Sequence, residues 1–93
     1  MKYDSFVIKS FDEESFRVWL LTEKKLSSKA TGDAVSRLKR CTNIESLDGH
    51  ENSTSYFDAI LQYPEVEEIP VSSRASMFRS CRLYFEFAAV GNP

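Results

Sequence analysis

One histidine, two cysteines and a run of acidic residues are the side chains in this 93-residue sequence that most invite catalytic or metal chemistry, and none stands in a pattern that performs it. His50 has no second histidine with which to share a metal or relay a proton. Beside Gly49 in an acidic stretch, it reads as a surface loop residue rather than a general base. Cys41 and Cys81 form no CxxC pair, and each falls among apolar positions of a predicted helix, so buried thiols are expected rather than a disulfide. A zinc site needs several Cys or His at short spacing, and Glu65, Glu67 and Glu68 read as a solvated acidic loop rather than a metal cage. Gly32, Gly49 and Gly91 are isolated, so no GxxxxGK or GxGxxG loop is present to cradle a phosphate. The expectation is a protein that is not an enzyme, uses no metal, cofactor or small-molecule substrate, and acts by binding.

The elements that must position a binding surface follow from length and periodicity. The chain is sized for one domain over residues 1–93, and its 42% hydrophobic content, with seven Phe, four Tyr and one Trp, supplies a core. No apolar run approaches the ~20 residues that cross a bilayer. The opening MKYDSFVIKS lacks a signal-peptide apolar region, so a cytoplasmic location without membrane attachment is expected. Tyr3 to Ile8 reads as a short extended arm. Ser10 and Glu13 have capping-box spacing and open a first helix over about 11–25, whose apolar residues Phe16, Val18, Trp19, Leu20 and Leu21 occupy more than one face and suggest a central position. Ser27 or Ser28 caps a second helix over 28–41, with Ala34, Val35, Leu38 and Cys41 as its buried stripe.

Residues 42–54 have turn chemistry and form the longest predicted loop. A third helix fits 55–62, ended by Pro64, and a fourth fits 74–89 after Pro70, capped by Ser72 or Ser73. Its broad apolar face holds Met77, Phe78, Cys81, Tyr84, Phe85 and Ala88. Four helices without a convincing strand pair argue for a small all-α bundle in which the first two helices form a hairpin.

The net charge of −2 conceals a segregated distribution. Residues 17–40 carry Arg17, Lys24, Lys25, Lys29, Arg37, Lys39 and Arg40 against only Glu23 and Asp33. Residues 41–70 carry no Lys or Arg and seven acids, and residues 71–93 return to net positive through Arg74, Arg79 and Arg82. Surface potential follows the local sum within about a Debye length, so the molecule is bipolar rather than mildly acidic.

Steps of 100° along the second helix gather Lys29, Asp33, Ser36, Arg37 and Arg40 on one mostly cationic face. Its N-terminus adds free amides and the Ser27 and Ser28 hydroxyls, bracketed by Lys24, Lys25 and Lys29, a combination suited to phosphate. Arg79, Arg82 and Glu86 share a face of the fourth helix, with Arg82 positioned to pair with Glu86. The plain alternative is a solvated helix surface, but such surfaces normally intersperse signs. A second candidate surface is the acidic segment with Glu65, Glu67 and Glu68, or the apolar pair Leu83 and Phe87, which either completes the core or marks a protein contact.

Two segments together resemble a known family. Phe16-Arg-Val-Trp-Leu20, followed by Leu26-Ser-Ser-Lys-Ala-Thr-Gly-Asp33 and Ala34-Val-Ser-Arg-Leu-Lys-Arg40, resembles the first helical hairpin of the core-binding domain of tyrosine recombinases and phage integrases. Phe78-Arg-Ser-Cys-Arg-Leu-Tyr-Phe-Glu-Phe87 is similar to that domain's closing helix. The resemblance implies a SAM-like bundle of four or five helices that clamps duplex DNA through phosphates. The implied contacts are Ser28, Lys29, Thr31, Arg37 and Arg40, with Arg79 and Arg82.

A recombinase also needs a catalytic domain with a His-x-x-Arg motif, and His50 is followed by Glu-Asn-Ser. The expectation is therefore a solitary DNA-binding relative from a phage or mobile element, its affinity lowered by the acids of 41–70. The alternative is a small phage-type inhibitor or adaptor that docks on a protein complex, and an inactive fragment of an enzyme is a third reading.

Overall fold

The computed structural model describes residues 11–91 and folds them into an all-helical bundle: α1 (Glu13–Thr22), α2 (Ser28–Ile44), α3 (Ser53–Ile60) and α4 (Val71–Gly91), with a 3-10 turn at Pro64–Glu68 between α3 and α4. The arm and Ser10 lie outside the described residues. Within them the cap of α1 is Asp12, whose carboxylate accepts the Ser15 amide at 3.1 Å, so the helix begins two residues later than a Ser10 cap implies. It also ends three residues early. Lys25 adopts φ 56°, a left-handed conformation that costs a side-chain-bearing residue about 1–2 kcal/mol, and Leu26 N–H turns back to the Leu20 carbonyl at 3.0 Å. Lys24 and Lys25 therefore belong to the α1–α2 turn.

Ser27 caps α2 by accepting the Ala30 amide, and the buried stripe is Thr31, Ala34, Val35, Leu38 and Cys41. The helix runs on to Ile44. The loop that follows is not simply solvated, because Leu47 is buried and Gly49, at φ 85°, makes the turn that brings it inward. Asn52 caps α3 through the Ser55 amide at 2.8 Å. Ser72 and Ser73, expected as caps, lie inside the first turn of α4, which starts directly after Pro70.

The helix at the centre is α4, not α1. It packs against α1, α2 and α3, and apolar residues surround most of its circumference. Phe78 meets Phe57 of α3 at 4.5 Å between ring centroids, while Phe87 meets Phe16 and Trp19 of α1 at 5.6 Å each. Phe16 and Leu20 are the buried positions of α1, whereas Val18 is 50% and Leu21 40% exposed, so α1 is a flank. Tyr84 ties the two helices further: its hydroxyl accepts the Asp12 amide at 2.8 Å and its ring lies edge-on to Phe11 and Phe16.

Cys41 and Cys81 are buried free thiols at the α2–α4 contact, with sulfurs 3.5 Å apart. The hydrogen bond to Cys41, together with burial, pushes the Cys81 thiol far up, so it stays neutral. Among the described residues no helix is long and apolar enough to cross a membrane.

Candidate functional site

Ion pairing sorts the cations of the expected basic face into two groups. Lys24 is held by Glu86 at 2.8 Å and lies 5.6 Å from the Trp19 ring centroid, Lys29 pairs with Asp33 at 3.5 Å, and Lys39 and Arg17 both reach Glu13. Glu86 therefore serves Lys24 from the α1–α2 turn and not Arg82, the partner that helical spacing suggested. Arg37, Arg40, Arg79 and Arg82 make no ion pair among the described residues, and neither does Lys25. Asp33 stands one turn before Arg37 but is taken by Lys29.

The four arginines lie beside two recesses, one between α2 and α4 and one on α4 itself. Arg37 and Arg40 of α2 line one of about 190 Å³ with Ser72, Ser73, Ser76 and Met77 of α4. Arg79 and Arg82 line the other with Leu83 and Glu86. Ser76 and Arg79 are three residues apart and so adjacent on the helix, which makes the recesses successive along α4. At 1.5 Å per residue, Ser72 to Glu86 spans about 21 Å.

Two residues implicated at the α2 N-terminus fare differently. Ser28 is exposed, just beyond the capping Ser27. Thr31 is only 1% exposed and belongs to the stripe that faces the core, so it cannot touch a phosphate; this corrects the contact implied by the family resemblance. Its Oγ1 has no hydrogen-bond partner, and a buried unsatisfied hydroxyl costs about 1–3 kcal/mol. Thr31→Val should consequently raise stability by about 1 kcal/mol, read by urea denaturation. A loss of stability would mean that the hydroxyl is satisfied in solution.

On the opposite reading, Glu65, Glu67 and Glu68 are exposed and without a cation partner among the described residues, while Val66 and Ile69 anchor their turn in the core. Between α3 and α4 an apolar recess of about 320 Å³ is lined by Phe57, Leu61, Val71, Arg74, Ala75 and Phe78. Leu83 and Phe87 are not a free contact patch. Both pack against the core, and the Phe87 ring belongs to the cluster with Phe16, Trp19 and Tyr84.

His50, expected on the surface, is instead half-buried in a polar clasp that the sequence did not reveal. Glu45 accepts the Tyr63 hydroxyl on Oε1 at 2.6 Å and contacts His50 Nε2 through Oε2 at 3.0 Å. Tyr56 donates to the Glu45 carbonyl at 2.6 Å and sits edge-on to the imidazole. Both carboxylate oxygens are thus used within the fold, closing residues 45–63 upon themselves. Local spacing carries no sign of it, since Glu45 and Tyr63 are 18 positions apart.

The Tyr63 and His50 hydrogen bonds hold the Glu45 carboxyl below its usual range, and Glu45 in turn raises the Tyr63 phenol. A carboxyl depressed on folding contributes stability above its unfolded value, near 4.5, which is lost as pH falls through the folded value. Wild type should therefore exceed Glu45→Gln in denaturation midpoint at pH 6, with the gap narrowing below about pH 4.5. A gap constant from pH 6 to pH 3 would show that the charge plays no part.

Among the described residues no three His, Cys, Asp or Glu side chains are placed to hold a metal ion. In comparisons with known proteins, the chain matches no family model, no curated protein and no solved structure.

Proposed function

We propose that this chain is a non-catalytic DNA-binding module that grips duplex phosphates through Arg37 and Arg40 of α2 and Arg79 and Arg82 of α4. One observation carries the reading: these four guanidinium groups line two recesses, one between α2 and α4 and one on α4, with no carboxylate partner among the described residues, while most neighbouring cations are neutralised. Guanidinium groups present planar forks to phosphate oxygens, and contacts of this kind position a duplex without reading bases. A 21 Å line matches roughly six base pairs of one strand, at about 3.4 Å per phosphate. The motif resemblance to the recombinase core-binding domain supports the same four positions. Exposed Ser28 and Lys25 lie at the turn which that resemblance also implicates. Lys24 and Lys29 are secondary, because each must release a carboxylate to reach a phosphate.

The test is a titration with a duplex of about 20 base pairs at two salt concentrations. Binding whose logarithm falls steeply with log salt supports the reading, since each neutralised phosphate contributes about −0.9 to the slope. Absence of binding at about 50 mM salt would sink it. The second reading, an adaptor or inhibitor that docks on a protein complex, is favoured by the unpaired Glu65, Glu67 and Glu68 in the turn that joins α3 and α4, the two helices that line the apolar recess. Under it Leu61→Asp abolishes capture of one protein partner, while duplex binding is weak throughout.

A further inference from the structure

The recess between α2 and α4 has a chemistry narrower than a basic surface. Two guanidinium groups enter it from α2 and three serine hydroxyls from α4, and none of these five side chains has a hydrogen-bond or ion-pair partner among the described residues. A helical serine commonly returns its hydroxyl to the carbonyl four residues earlier, and Ser76 does not. Buried Met77 supplies the apolar part of the lining. No carboxylate lines the recess to repel an anion, and no aromatic ring lines it for a base to stack on. The recess is small, about 190 Å³, and its lining is mostly polar, which suits a compact anion.

Donors converging from two helices match an anion with acceptors on several sides. A phosphate monoester presents three terminal oxygens and about −1.5 to −2 charge at pH 7. An internal phosphodiester carries a single charge, and its chain leaves in both directions, so it rides on the rim of a recess rather than entering. We propose that the recess is a socket for a phosphate monoester and, resting on the DNA-binding reading above, that it receives the phosphorylated end of a duplex. Arg37 and Arg40 then serve both surfaces: they neutralise the strand along the rim and supply the charge of the socket. The serines serve the socket alone.

The experiment compares three blunt duplexes of one sequence, bearing 5′-phosphate, 3′-phosphate or only hydroxyl ends, by fluorescence anisotropy with the full chain. One of the phosphorylated duplexes should bind about tenfold tighter than the hydroxyl-ended one, the gain expected from a small set of charge-assisted hydrogen bonds. Which arm gains identifies the end. In the triple variant Ser72→Ala, Ser73→Ala, Ser76→Ala, shown folded by circular dichroism, that preference should disappear.

Equal binding of all three duplexes by the wild type would overturn the socket while leaving the DNA-binding reading intact, and so would a preference that survives in the triple variant. If no duplex binds at all, the DNA-binding reading fails and a titration with inorganic phosphate followed by NMR judges the socket by itself. Saturable shifts at the Ser72, Ser73 and Ser76 amides, absent from the triple variant, sustain it, and their absence in the wild type overturns it.

Discussion

Replacing Arg37, Arg40, Arg79 and Arg82 together by alanine should lower the salt slope of duplex binding by about 3 to 4, because each lost phosphate contact removes about 0.9. These four side chains contribute roughly two orders of magnitude to the affinity change between 50 and 200 mM salt, and the variant should lose that sensitivity. The matched control changes Lys24, Lys29 and Lys39 to alanine. Those charges already face Glu86, Asp33 and Glu13, so fewer counterions are released when DNA arrives, and the slope should fall by less per residue. Arg-to-Lys changes at the four positions should preserve most of the slope while weakening affinity, since an ammonium keeps the charge but not the bidentate fork. If the lysine variant loses as much slope as the arginine variant, the contact surface lies around the α1–α2 turn instead.

The largest expected effect on stability belongs to Phe16. Its side chain is fully buried, with ring centroids 5.0 Å from Tyr84, 5.6 Å from Phe87 and 6.2 Å from Trp19, and it fastens α1 to the central helix. Phe16→Ala removes both the transfer free energy of the ring and the packing of three neighbours, about 3–5 kcal/mol. For a domain whose whole stability lies near 5–15 kcal/mol, that lowers the melting temperature by on the order of 15–30 °C. Val18→Ala, two positions away on the exposed side, should cost no more than about 0.5 kcal/mol. Equal losses in the two variants, measured by thermal unfolding, would show that α1 presents a different face to the core.

That pair of variants also marks where sequence reading stops. In α2 the apolar residues recur at a single helical period and polar residues fill the other positions, so Ala34, Val35, Leu38 and Cys41 were legible as the buried stripe without a partner in view. In α1 five of the six residues from Phe16 to Leu21 are aliphatic or aromatic, yet only Phe16 and Leu20 are buried, and period alone could not choose between Phe16 with Leu20 and Val18 with Leu21. The choice depends on where α4 lies, and α4 is enclosed because α1, α2 and α3 reach it from different sides. The burial of Leu47 has no local signature for a related reason, as one apolar residue between turn-formers has no period.

The candidate interface divides in the same way. The all-helical architecture, and the gathering of Arg37 and Arg40 on one face of α2 and of Arg79 and Arg82 on one face of α4, follow from residue order alone. These depend on the 3.6-residue period and on residue types, which are local quantities. Which cations keep their charge available depends on the folded arrangement. Local spacing offered Glu86 to Arg82, but folding brought Lys24 to 2.8 Å from Glu86 across 62 residues, and Thr31 was turned into the core. Charge pairing and burial are set by contacts between distant segments, and those contacts leave Arg37, Arg40, Arg79 and Arg82, with Ser72, Ser73 and Ser76, without an internal partner among the described residues.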